Sequence, residues 1–253
     1  MRMSILKILK ISVVAIFLVL LASPALFAQV TTGTFPRLYT GSFGGGLALT
    51  GGNTDTKNFN LSFDMVRDPL KKSVIKVKSS YLRGTQNKTT NLDRTALLIR
   101  DEYTISGRVF GFGQVDYLRD RFKSIVFIWN PTAGLGYKIF NSDKTKLEVS
   151  GGAGGILEKD GGFESKTSGS VVAGETFRYK LSSNASVTQS HSTIWKTENF
   201  SDSLSNFSIG ITTSIAKKLE IKSEFNDSFK NQPASSLIKK NDTAFITTFL
   251  VKF

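Results

Sequence analysis

The chain has 253 residues, a formal net charge of +13, 20 Phe, 22 Gly, 5 Pro, a single His and no Cys. The absence of Cys excludes a disulfide frame, a thiolate metal site, a Cys nucleophile and a lipid-modified Cys. The length suits one large β domain as well as two small domains, and the basic balance points to phosphate-rich neighbours.

At the N-terminus, Arg2, Lys7 and Lys10 precede the apolar run ISVVAIFLVLLA (11–22), and SPALFA (23–28) follows with small residues. A basic start, a short apolar core and small residues form a secretory signal peptide over 1–28, with cleavage after Ala28 or, alternatively, Ala25. The apolar run is shorter than the ~20 residues that a membrane-spanning helix requires. An exported chain rarely meets nucleic acid, so outer-membrane lipid and lipopolysaccharide are the expected partners of the basic surface.

From residue 29 onward the pattern changes to a two-residue alternation, which marks strands with one apolar and one polar face. In NFNLSFDM (58–65), Phe59, Leu61, Phe63 and Met65 share one face. In NFSIGITTSI (206–215), Phe207, Ile209, Ile211 and Ile215 do the same, and in LEIKSEF (219–225) so do Leu219, Ile221 and Phe225. Turn signals separate the runs at 51–56, 67–72, 84–91, 106–108, 120–124, 141–145, 159–162, 179–183, 197–203, 216–218 and 230–240. The count predicts twelve strands of about 10–14 residues. Ten is the alternative, because the pattern assigns no faces around 109–118 and 165–177. The odd-numbered connections read as longer and more polar than the even ones. An up-and-down barrel with both termini on the periplasmic side carries that bias, so 29–253 reads as one barrel domain.

The apolar face must meet either lipid outside a membrane barrel or the interior of a soluble one. Strand lengths match the ~9–11 residues of a tilted transmembrane strand. Aromatics gather near the predicted strand ends (Tyr81, Tyr103, Tyr137, Phe140, Phe177, Tyr179, Trp195 and Phe229), as in interfacial girdles. The chain then stops on DTAFITTFLVKF (242–253), alternating to a final aromatic. Phe249, Val251 and Phe253 look like the terminal signal read by the bacterial barrel-assembly machinery. The expected fold is therefore an all-β, antiparallel, up-and-down transmembrane β-barrel, monomeric, in the outer membrane of a Gram-negative bacterium.

The stretch GGGLALTGGNTDT (44–56) resembles the opening hairpin of the YdiY-like salt-induced outer-membrane protein family, whose function is not established. YLRDRF (117–122), PTAGLGYKIF (131–140) and NDTAFITTFLVKF (241–253) echo the same pattern. The resemblance covers roughly 40–253 and departs between 160 and 200. It implies an outer-membrane location and a link to salt or osmotic stress, and it supplies no catalytic residue.

The polar faces supply the lumen candidates: Lys76, Lys78, Arg100, Glu102, Glu148, Glu220, Lys222 and Glu224. Their mixed signs predict a lumen knitted by ion pairs and hence narrow or closed. No catalytic, metal or cofactor residue is expected. The glycine clusters at 41–46 and 151–155 lack the following helix that a phosphate cradle needs. His191 has Ser190 and Ser192 beside it, but neighbours in a strand face opposite ways, so a catalytic Ser would have to come from another strand. Asp120 and Arg121 read as a locally paired set of charges that fixes the hairpin, and Asn53 and Asp55 as turn formers. The expected function is envelope integrity or narrow passive passage of solutes, without enzyme activity. The rivals are an outer-membrane lipid-modifying enzyme and a secreted soluble barrel that binds an apolar ligand.

Overall fold

A computed structural model of the chain describes residues 38–51, 56–69, 72–86 and 89–253. The signal segment 1–28, its two cleavage positions, Asn53 and Asp55 lie outside the described residues. The elements are β1 (Tyr39–Gly51), β2 (Thr56–Arg67), β3 (Ser73–Gln86), β4 (Thr89–Ser106), β5 (Val109–Asp120), β6 (Ile125–Asn141), β7 (Thr145–Asp160), β8 (Lys166–Lys180), β9 (Ala185–Lys196), β10 (Asn199–Ala216), β11 (Leu219–Lys230) and β12 (Asn241–Lys252). Each strand pairs antiparallel with its sequence neighbours, and β12 returns to β1, so the sheet is a closed twelve-strand barrel.

The closing seam runs from Ser42 opposite Lys252 to Gly51 opposite Thr243. Phe253 extends it, its amide donating to the Gly41 carbonyl at 3.1 Å. Closure removes the unpaired edge that lipid, having no hydrogen bonds to offer, would make costly.

Strand ends fall close to the sequence turn signals, with two informative differences. β3 and β4 continue to Gln86 and from Thr89, inside the predicted 84–91 turn. β10 starts at Asn199, inside 197–203, with its register shifting between Asn199 and Ser203. Ser, Thr and Asn there read as loop, yet polar side chains do not prevent strand pairing. The strands consequently reach 18 residues in β4 and β10. The odd connections are then not consistently longer, and the long one is 231–240 between β11 and β12.

Two rims result. The terminal rim carries Tyr39 and Phe253, and the loop rim carries the β3–β4, β5–β6, β7–β8, β9–β10 and β11–β12 connections. Between them the outer wall is apolar: Phe43, Leu47, Phe59, Ile99, Leu135, Ile209, Ile211, Phe225, Phe245 and Phe249 are all exposed. Toward the terminal rim it bears Tyr39, Tyr103 and Tyr137. Toward the loop rim Tyr117 and Trp129 meet with ring centroids 4.8 Å apart. An apolar band with aromatic side chains toward both rims is a surface suited to lipid.

The interior is only partly polar. Leu118, Ile125, Ile128, Ile156 and Leu204 form a buried cluster, and Phe110, Phe112 and Val172 form another. The faces left open in the sequence are thereby set: Phe110, Phe112 and Val172 point inward. Phe110 lies over Gly136, which has no side chain to obstruct the ring, and Phe112 lies beside Gly152.

Candidate functional site

The lumen is the candidate site. Away from the register shifts its wall alternates, so charged residues two apart on one strand project together into the interior. Lys76 and Lys78 of β3, Arg100 and Glu102 of β4, Glu148 of β7, and Lys222 and Glu224 of β11 all line one internal cavity of about 550 Å³. Glu220 does not line it. It sits near the terminal rim, where its carboxylate accepts from Lys252 Nζ at 2.7 Å and from Ser214 Oγ at 2.8 Å.

These charges neutralise one another locally. Lys76 Nζ lies 2.7 Å from Glu102 and 3.7 Å from Glu148, and Arg100 Nε donates to Glu102 at 2.8 Å. On β11, Lys222 and Glu224 pair at 2.5 Å. Arg100 also donates to Gln114 Oε1 at 2.5 Å, and Gln114 Nε2 donates to Asp116 at 2.8 Å. The Arg100 guanidinium lies 3.8 Å over the Phe112 ring, a cation–π contact that fixes its plane. Asp64, Gln114 and Asp116 also line the cavity. Asp64 is directly opposite Lys78 in the β2–β3 register, and its place in the clean alternation of 58–65 could have revealed it. Asp116 and Gln114 lay in the stretch whose faces the pattern did not assign.

At the loop rim a residue with no local sequence signal reaches over this cavity. Lys123, in the β5–β6 connection, is 1% exposed. Its Nζ donates to the Ser228 carbonyl at 2.7 Å and lies 3.7 Å from Asp242. In a ring of twelve, β5 and β6 stand opposite β11 and β12, so this side chain bridges the mouth from wall to wall. Burial pushes the ammonium pKa below the usual lysine range, and the Asp242 carboxylate opposes that shift.

The connection is built to aim Lys123 inward. Asp120 Oδ1 accepts from the amides of Phe122 at 3.1 Å and Lys123 at 3.2 Å. Ser124 takes a left-handed φ of 56°, and its carbonyl accepts from the Gly161 amide at 2.6 Å. Phe122 packs against Leu82 and Leu92. Asp120 therefore fixes the turn through backbone amides, but the expected local pairing with Arg121 is replaced by pairs to β4: Arg121 with Asp93 at 3.6 Å and Asp120 with Arg94 at 3.9 Å. A second cross-lumen bridge joins Lys230 of β11 to Asp160 of β7 at 3.3 Å. Nearby, Lys196 of β9 pairs with Glu158 and, at 2.5 Å, with Asp202.

The other sequence candidates lie elsewhere. The glycine clusters fall within β1 and β7, with strand on both sides. His191 projects outward from the barrel, whereas Ser190 faces the lumen and bonds Ser208 Oγ at 2.8 Å. A Ser from another strand does reach the ring: His191 Nε2 and Ser205 Oγ are 2.8 Å apart. Glu175, directly opposite His191 in the register, instead accepts from Gln189 Nε2 at 2.9 Å. Phe249, Val251 and Phe253 are exposed on the outer wall, and Phe253 stacks on Phe63 at 6.2 Å between centroids.

The fold is similar to solved barrels at low identity. The NanC porin matches with a TM-score of 0.58 and 6% identity, over 84% of this chain and 100% of that one. The KdgM porin, solved in complex with disordered oligogalacturonate, matches at 0.51 and 6%, over 85% and 99%. The translocator domain of the autotransporter NalP from Neisseria meningitidis matches at 0.51 and 9%, over 96% and 98%. Identities this low carry the fold alone. No curated protein matches the chain. The family model of DUF481, described as a protein of unknown function, matches residues 44–253, and the chain belongs to that family.

Proposed function

We propose that the protein is a non-enzymatic outer-membrane barrel that gives narrow, gated passage to small solutes. In this reading residues 1–28 direct export, and the terminal Phe249, Val251 and Phe253 are read by the assembly machinery. The basic loops face lipopolysaccharide. The link to salt or osmotic stress rests on the family resemblance alone.

One observation carries the proposal: a charged cavity of about 550 Å³ lies under a mouth bridged by Lys123. A twelve-strand wall encloses more room than the ~8 strands that side chains fill, and less than the 16–18 strands of aqueous porins. The apolar cluster of Leu118, Ile125, Ile128, Ile156 and Leu204 narrows it further. A solute passes only when the β5–β6 connection moves and breaks the contacts of Lys123.

Planar-bilayer recording of the refolded barrel tests this. The wild-type protein is expected to show small, infrequent conductance steps, and Lys123→Met to raise their frequency. Large, stable steps in the wild type, unchanged by Lys123→Met, would mark a general porin and end the gated reading.

A further inference from the structure

We propose that the outward polar row on β8 and β9 is the surface by which two copies of this chain associate within the membrane. The row places a carboxylate and an imidazole at mid-strand on a wall whose large exposed side chains are mostly apolar. Glu175 and His191 stand directly opposite each other, and His191 stands opposite Phe207 of β10. Gln189 donates to Glu175 at 2.9 Å, and Thr193 Oγ1 and His191 Nε2 both approach Ser205 Oγ, at 2.9 Å and 2.8 Å. Glu175 and His191 are exposed. His191 lies at the middle of β9 (Ala185–Lys196), at the depth of the hydrocarbon rather than of the head groups.

Charged side chains on a lipid face are costly near the bilayer midplane. The internal bonds relieve that cost only in part, since one amide donor leaves most of a carboxylate's acceptor capacity unused. Protein contact supplies the remaining partners.

Beside the row the wall is flat. Gly151, Ala153 and Gly155 of β7 share the outward face with Ala173 and Glu175 of β8 through the register Gly151–Ala173 and Ala153–Val171. A Cβ built at Gly151 or Gly155 would meet its nearest atom at 3.8 Å, an ordinary contact. Packing within the chain therefore does not require glycine there. The inward Gly152 is different, because its Cβ would lie 2.5 Å from the Ala133 carbonyl oxygen. Small residues on a lipid face let a neighbouring wall come close.

The chemistry of the row selects a second copy as the neighbour. It holds an acceptor, Glu175 of β8, one strand away from His191 and Gln189 of β9 and two strands away from Ser205 of β10. A two-fold axis through the row brings Glu175 of each copy to His191 of the other, the self-complementary contact of a symmetric dimer. A lipid phosphate would call for surplus cations, and mid-strand depth holds none. This departs from the monomer expected from the sequence.

The Cys-free chain suits a cross-linking test with full-length protein refolded into phosphatidylcholine vesicles and a copper oxidant. Ala173→Cys, beside the row, should give a disulfide-linked dimer. Phe59→Cys, on β2 at the opposite side of the ring, should not. Adding Glu175→Leu and His191→Leu to the Ala173→Cys protein should lower the dimer yield roughly tenfold, with heat-modifiable gel mobility showing that the barrel is folded. Equal cross-linking at Ala173→Cys and Phe59→Cys overturns the proposal, whatever the double variant does. So does an unchanged dimer yield in the folded double variant.

Discussion

Two sectors of one wall solve the same problem in opposite ways. In β10–β12 with β1–β2, most of the large apolar side chains point outward (Ile209, Ile211, Phe225, Phe245, Phe249, Phe43 and Phe59), and the inward positions carry Lys222, Glu224, Asp64 and Asn60. In β5–β8, the large apolar side chains Phe110, Phe112, Ile128, Ile156 and Val172 are buried inside. The outward positions there include Gly151, Ala153 and Ala173. The first sector is an inside-out membrane wall, and the second carries an interior core like that of a soluble barrel. A twelve-strand lumen is wider than the ~8-strand interior that side chains fill, and here one sector supplies apolar filling and the other supplies charge.

The largest effect should come from the seam that lets the first sector close. Phe253 donates its amide to Gly41 and stacks on Phe63. Deleting Phe253, or replacing it with Asp, should sharply lower the amount of assembled barrel while leaving export intact, as followed by heat-modifiable mobility and protease sensitivity in the periplasmic fraction. Normal yield from the truncated chain would show that the terminal pattern is only wall.

This contrast also explains what could be read in the sequence. The clean sector was legible because side chains alternate between lipid and lumen, so Phe59 to Met65 and Phe207 to Ile215 declare their faces. Around 109–118, Phe110 and Phe112 point in while Gly111 and Gly113 point out, so size and polarity no longer mark the lipid side. Lys76, Arg100 and Glu102 were legible as lumen charges for the same reason as the strands that carry them. Lys123 was not, because its partners Ser228 and Asp242 lie on the far side of the ring and leave no local pattern. The His191–Ser205 contact depends on the β9–β10 register, which composition alone does not set.

A second prediction sharpens the facing of the clean sector. Ile211 is 49% exposed on the outer wall, whereas Thr212 lies opposite Lys222 on the inner face. Ile211→Arg should destabilise the barrel by roughly 2–4 kcal/mol in lipid, and Thr212→Arg by much less. Urea titrations of the two variants in the same bilayers check this, and equal midpoints would overturn the assignment for β10.

The mixed sector makes a smaller and more local prediction, at two adjacent glycines of β7. Gly152 faces inward, where a Cβ would lie 3.0 Å from Phe112 Cζ as well as close to the Ala133 backbone. The ring is held in place by the Arg100 guanidinium on its face, and the backbone on the other side belongs to a paired strand, so neither can give way freely. Gly152→Val should therefore cost about 1–3 kcal/mol, the usual range for overpacking. Gly151 faces out, with nothing nearer its Cβ than 3.8 Å. Gly151→Val should change the stability of the barrel in detergent by no more than about 0.5 kcal/mol, because it adds a β-branched side chain to an uncrowded strand surface. Denaturant midpoints measured side by side decide the matter. If Val is tolerated equally at both positions, the inward aromatic core of β5–β8 is not tightly packed, and the two sectors differ in composition without differing in how they carry load.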